Sequence, residues 1–322
     1  MAYIVKYIDN ALAENTEIDT LYRKDIKNGY KVLLVCSAEY KNIALKYNAK
    51  EIARSDDIKK SNGNLFVLFC AQDTIEISLD CAFVLRCECQ IYIKYDGIFS
   101  ADPAFTDFSH RIDKMDYDEL LEMTVCGYKA INTDIVEKAR KNGIVLHFLS
   151  YKDEYGKGTV VKEVLGISGM TVKGIIKDPN MSIISLIGVP DITGICYSIF
   201  NLISENDIVV DTISLPTAVR GKGEISFTVS RSDRIKCEKM LAENKDKIGF
   251  SRLFVDDDIA KVSVIGAALK TTKGVAAKVF KVLYENGIDV KLINTSEIKL
   301  TVFVNRKMSD IAVNKIHEMF IN

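Results

Sequence analysis

The chain has 322 residues, 48% hydrophobic and 27% charged, with a formal net charge of −1. That length suggests two or three globular domains, and the near-neutral balance removes any broad electrostatic case for nucleic acid. No apolar run reaches transmembrane length, so membrane association is not expected.

Met1-Ala2-Tyr3 leads directly into a strand without a signal-peptide pattern, so a cytoplasmic location is expected. Short β-branched or apolar runs predict strands at Tyr3–Lys6, Lys31–Cys36, Leu65–Cys70, Gln90–Ile93, Val145–Leu149 and Thr159–Val161. Helical spacing predicts helices at Leu12–Lys27, Thr74–Leu85 and Tyr117–Val125. Another helix opens at Asn132-Thr133, with Glu137 close by, and closes at Gly143. Such alternation predicts a sheet with helices packed on it. Gly156-Lys157-Gly158 reads as a boundary turn.

The cysteines sit mostly inside apolar runs, as reduced core thiols do. Cys87-Glu88-Cys89 has no second Cys/His pair at ligand spacing, so no metal is expected. His110, His147 and His317 are scattered and suggest no catalytic triad.

The C-terminal half holds a repeat. One copy starts at Ser182 and the other at Ala260, with Gly194, Phe200, Asn206 and Ile208 matching Gly274, Phe280, Asn286 and Ile288. The first copy reads as a strand (Ile183–Gly188), a turn (Val189–Gly194), a helix and a second strand (Ile208–Ser214). Ile195, Ile199, Leu202 and Ile203 mark the buried face of that helix. The second copy gives a strand at Val262–Gly266, a loop at Ala267–Gly274, a helix at Val275–Tyr284 and strands after Gly287. Free N–H groups at each helix start attract a carboxylate, and Asp191 in the first loop can face an ammonium group. That combination suits a free amino acid. On local sequence alone, Asp191 reads first as a turn or cap residue.

These residues resemble tandem ACT domains. The stretches Val255–Gly266, Gly274–Phe280 and Asn294–Val302 resemble one family closely, aspartokinase. Asp96–Pro103, Met115–Met123 and Gly127–Ser150 follow that family's order and spacing, so the likeness is nearly continuous from about Ile91 to Asn322. The resemblance implies a mixed α/β chain. It comprises a reduced amino-acid-kinase-like αβα sheet domain (1–163) and two ferredoxin-like βαββαβ ACT domains (164–258 and 259–322). ACT domains are interleaved in this family, so Ile311–Phe320 is expected to pack with the first. The resemblance also implies feedback control by lysine or threonine, with an ACT-mediated homodimer or a full-length aspartokinase as partner. Effector contacts carry over to Asp191, Thr193, Gly194 and Ile195, and to Asn294, Thr295, Ser296 and Glu297.

The N-terminal third departs from the family. Its phosphate loop, lysine followed by an aromatic residue, two glycines and two hydroxyl residues, reads here as Lys6-Tyr7-Ile8-Asp9-Asn10-Ala11. Ile8 adds a Cβ where backbone must approach phosphate, and Asp9 adds negative charge there. Asp73-Thr74 keeps the end of a second motif, but Leu68–Gln72 replaces its glycines and arginine. Ser37 and Asp73 stand too close in sequence to hold the segment that normally carries the aspartate-binding glutamate and arginine. The nucleotide motif is reduced to Lys94, Asp96 and Gly97, and Ala104 follows Asp102-Pro103 in place of a cation. Leu215-Pro216 replaces a Gln-Asn pair beside the effector site. Lys6 and Asp73 are thus catalytic remnants. The expected protein is an amino-acid-binding regulator that needs no cofactor, with ATP and Mg required only if kinase activity survives.

Overall fold

A computed structural model describes residues 2–8, 18–37, 46, 48–70, 74–106, 108–153, 156–164, 171–216 and 221–321. The chain divides into two units. Met1–Gly174 with Ile265–Ala268 form one, and Ile175–Val264 with Leu269–Asn322 form the other.

The first unit opens with β1 (Tyr3–Tyr7), α1 (Ile18–Lys27), β2 (Lys31–Ser37), β3 (Lys50–Ile52), α2 (Ser55–Lys59), β4 (Leu65–Cys70) and α3 (Thr74–Leu85). It continues with β5 (Cys89–Ile93), β6 (Lys114–Met115), α4 (Tyr117–Val125), α5 (Thr133–Lys141), β7 (Leu146–Ser150) and β8 (Thr159–Val161). The predicted helix at Leu12–Lys27 is described from Ile18, and its first residues lie outside the described part. The sheet has eight strands in the order β3-β4-β2-β1-β5-β7-β8-β6. β1 is parallel to both β2 and β5, which places it centrally. The edges fall to β3 and β6, three and two residues long, which offer little template for outside pairing. β2 and β4 are near-continuous apolar runs because both their faces are covered. One face packs Leu21 and Tyr22 of α1 on Val32, Leu34, Cys36, Leu65 and Val67.

The second unit contains β9 (Gly174–Pro190), α6 (Ile195–Ser204), β10 (Val210–Ser214), β11 (Lys222–Ser230), α7 (Arg234–Glu243) and α8 (Lys245–Ile248). After these come β12 (Arg252–Ile265), α9 (Val275–Glu285), β13 (Val290–Thr295), β14 (Lys299–Asn305) and α10 (Ser309–Phe320). Each copy therefore runs strand, helix, strand, strand, helix. Ile199 and Ile203 enter the first copy's core against Leu186, Phe227 and Val229, with Ile195 and Leu202 at its margin. Ile311–Phe320 falls in α10, which packs against α9 of its own copy. β9 and β12 are much longer than their apolar patterns suggest. Asp178-Pro179-Asn180 and Asp256–Asp258 interrupt those patterns, and each forms a local turn, Asn180 N to Asp178 Oδ1 and Asp258 N to Asp256 Oδ1.

The six strands run β10-β11-β9-β12-β14-β13. A flat sheet would hold its outermost strands about 24 Å apart. Instead, Asn294 of β13 donates to Thr212 of β10 at 3.2 Å, and Lys261 of β12 pairs with Asp211 of β10 at 3.3 Å. The sheet is folded over at its two long strands. Met181, Ile183, Ile259, Phe303 and Leu292 fill the crease.

Candidate functional site

β1 carries Lys6 into the interior of the first unit, where the residue is 1% exposed. Burial of an ammonium requires partners. α1 supplies Asp25, whose carboxylate lies 2.8 Å from Nζ, and β5 supplies Tyr92, whose hydroxyl oxygen accepts at 2.8 Å. Gln90, two residues before Tyr92 and on the same face of β5, accepts through Oε1 and donates its amide to Glu88 at 2.9 Å. Burial pushes the Tyr92 hydroxyl above its ordinary pKa, and Lys6 opposes that shift. To meet a phosphate, Lys6 would have to leave a buried pair, a loss of roughly 3–5 kcal/mol. Asp73 lies outside the described residues.

Lys94, Asp96 and Gly97 sit in a different network. The Lys94 ammonium rests over the Tyr95 ring, 5.2 Å from its centroid. Asp96 pairs with Arg111 and accepts from Gly158 N at 3.2 Å. Gly97 has φ +104°, and a Cβ there would sit 2.4 Å from Thr159 Oγ1. Buried Thr159 is itself fixed, accepting from Ile98 N at 2.7 Å and donating to Ile112 O at 2.5 Å. These residues close a turn around Thr159.

In the first repeat copy Gly194 adopts φ +89° at the N-terminus of α6. Asp191, Thr193 and Gly194 are exposed and Ile195 is half-buried. The loop is closed by Asp191 N donating to Gly221 O at 3.0 Å. Asp191 lies in the loop four residues before α6 begins at Ile195. The second set is placed differently. Asn294 is turned to Thr212. Thr295 is exposed, and Ser296 N donates to Lys299 O at 2.8 Å. Glu297 pairs with Lys270 at 2.5 Å on the surface.

Asp25, Gln90, Tyr92 and Arg111 did not emerge from the sequence. The available signal was polar alternation, Glu88, Gln90 and Tyr92 interleaved with Cys89, Ile91 and Ile93. Among the described residues no cluster of His, Cys, Asp and Glu could hold a metal, and no helix is long and apolar enough to cross a membrane.

The two units define a class, an amino-acid-kinase-like α/β domain joined to ACT domains. The ACT domain family matches residues 262–320. The aspartokinase of Mycolicibacterium smegmatis is 34% identical over 238 residues, 72% of this chain and 56% of that protein. The aspartokinase of Pseudomonas aeruginosa is 32% identical over 263 residues, 80% and 63% respectively. The chain belongs to the aspartokinase family. It spans 56 to 63% of the length of these relatives.

Solved structures agree on the fold. Clostridium acetobutylicum aspartate kinase superposes with TM-score 0.83 at 14% identity, covering 99% of this chain and 100% of the other. E. coli aspartokinase III in complex with lysine and aspartate gives TM-score 0.64 at 17% identity, covering 99% and 70%.

Proposed function

We propose that this chain is a catalytically impaired aspartokinase-like protein that binds an amino acid through its ACT copies and acts as a regulator in aspartate-derived amino-acid synthesis. One observation carries the reading. The retained phosphate-loop lysine, Lys6, is buried and engaged by Asp25, Tyr92 and Gln90. Phosphoryl transfer relies on cations aimed at the transferring group, and this cation is committed elsewhere. The amino-acid site is assigned to Asp191, Thr193, Gly194 and Ile195, with Asn294, Thr295, Ser296 and Glu297 as its second set. The assembly is a homodimer through the ACT domains or a complex with a full-length aspartokinase. ATP and Mg are not required.

The test is a hydroxamate assay for 4-phospho-L-aspartate with purified chain, Mg-ATP and L-aspartate, run beside a thermal-shift screen of free amino acids. L-lysine is the first probe, since it occupies a structure of similar fold. No turnover and a ligand-dependent rise in Tm are expected. Turnover abolished by Lys6→Ala would establish an active aspartate kinase instead. Co-purification with a complete aspartokinase, with no Tm response to any aspartate-derived amino acid, would leave a purely structural subunit.

A further inference from the structure

The two repeat copies clasp their loops in the same way. In the first, Ser251 N donates to Ile187 O at 2.8 Å, and a Cβ on Gly188 would lie 2.4 Å from Ser251 Oγ. In the second, Lys173 N donates to Ile265 O at 2.7 Å, and a Cβ on Gly266 would lie 2.3 Å from the Thr171 carbonyl oxygen. Each clasp uses the segment that leads into the other long strand. That shared geometry sets the baseline for what differs.

The second loop has an additional holder. Ile265–Ala268 belong to the first unit, and Ala267, the start of a 3-10 turn at Ala267–Lys270, donates its N–H to Glu119 Oε1 at 3.1 Å. Glu119 is 4% exposed and is the third residue of α4. Its other oxygen accepts from Asp116 N at 3.2 Å, completing a capping box in which Asp116 Oδ1 accepts from Asp118 N at 2.9 Å. The other Asp116 oxygen accepts from Val164 N at 2.8 Å.

We propose that Glu119 is a relay residue, a single carboxylate that caps α4 and holds the second ACT loop at Ala267, so that neither can shift without disturbing the other. A free surface glutamate would cap the helix equally well. Burial with one oxygen on each backbone makes the two ends one mechanical element. The device stands on this geometry and does not need the amino-acid-sensing reading of Asp191.

Amide hydrogen exchange on the full chain tests it without ligand. Glu119→Leu should accelerate exchange at Ala267–Lys270 at least tenfold and leave Val189–Gly194 unchanged. The decisive variant is Asp116→Ala, which keeps Glu119 but loosens the start of α4. The relay requires exchange at Ala267 to rise severalfold in this variant too. Wild-type exchange at Ala267 in Asp116→Ala would overturn the proposal. So would equal acceleration of both loops in Glu119→Leu.

Discussion

Lys6 Nζ and Asp25 Oδ2 lie 2.8 Å apart, with the Lys6 side chain 2% exposed. This pair ties the central strand of the first unit to α1. An ammonium in such a place is a structural element whose removal strands a carboxylate. Lys6→Met should therefore cost roughly 3–5 kcal/mol, read as a lower urea midpoint at unchanged slope. Lys6→Met with Asp25→Leu should recover most of that loss. Calorimetry should give the same heat of ATP addition for the wild-type chain and the double variant. A loss of ATP binding only in the double variant would return Lys6 to a nucleotide site.

Gly97 makes a second structural demand in a place where the family resemblance points to nucleotide. Gly97→Ala combines a positive φ with a Cβ 2.9 Å from the backbone nitrogen of Thr159, which cannot yield as a flexible side chain would. A loss of roughly 2–4 kcal/mol is expected. Thermal melting decides the point. An unchanged Tm would mean that the turn relaxes freely.

Much of this molecule was legible because its patterns are local. Gly194 and Gly274 punctuate two matched helices, and Ile199 and Ile203 do enter the core their spacing implies. The fold-over of the second unit was not legible. It depends on Asn294 reaching Thr212 and on Lys261 reaching Asp211, contacts between strands that are not sheet neighbours. No periodicity encodes such pairs. The partners of Lys6 were missed for the same reason, because Asp25 arrives from a helix and Gln90 and Tyr92 from a distant strand.

Asp191 is exposed beside the start of α6, so it can be tested without damaging the core. A bound ligand at 100 times its Kd stabilises the folded chain by about 2.7 kcal/mol. Asp191→Ala should leave the unliganded Tm within about a degree, as exposed positions do, and abolish the ligand-induced rise. A rise of equal size in the variant would remove Asp191 from the site.

The chain should weaken in alkali for a specific reason. Burial raises the thiols of Cys36, Cys81, Cys87 and Cys237 to about 12, and the hydroxyls of Tyr117 and Tyr128 to about 12. In the unfolded chain these groups ionise at their ordinary values, near 8.5 for Cys and 10 for Tyr. Between those values and about 12 the unfolded state has lost protons that the folded state keeps. Stability therefore falls as pH rises, and it is unaffected by these groups below about pH 8. Urea midpoints at pH 7.5, 9 and 10.5 should decline progressively. Under native conditions at pH 8, Ellman's reagent should react first with half-buried Cys196, more slowly with half-buried Cys87, and with the fully buried thiols only on unfolding.

The fold-over itself can be weighed. Thr212 Oγ1 is the meeting point of the two outermost strands, and its own backbone N–H is already committed to Thr228 Oγ1 at 3.0 Å. Thr212→Val keeps the shape and removes the acceptor for Asn294, while Asn294→Leu removes the donor. Each single change should cost about 1–3 kcal/mol, because each leaves a polar partner behind in a half-buried crease. The double variant leaves neither, so the effects should be less than additive, with a coupling of about 0.5–1.5 kcal/mol. Lys261 and Asp211 extend the same network, because Thr212 Oγ1 also donates to Asp211 Oδ2 at 3.4 Å, the oxygen that pairs with Lys261. Asp211→Asn combined with Asn294→Leu should therefore show a coupling weaker than that of Thr212→Val with Asn294→Leu. Coupling concentrated in Thr212 and Asn294 would identify that hydrogen bond as a discrete fastener. Coupling spread equally over all four residues would mean instead that the crease opens as a single unit, with the apolar contacts of Phe303, Ile183 and Ile259 holding it closed.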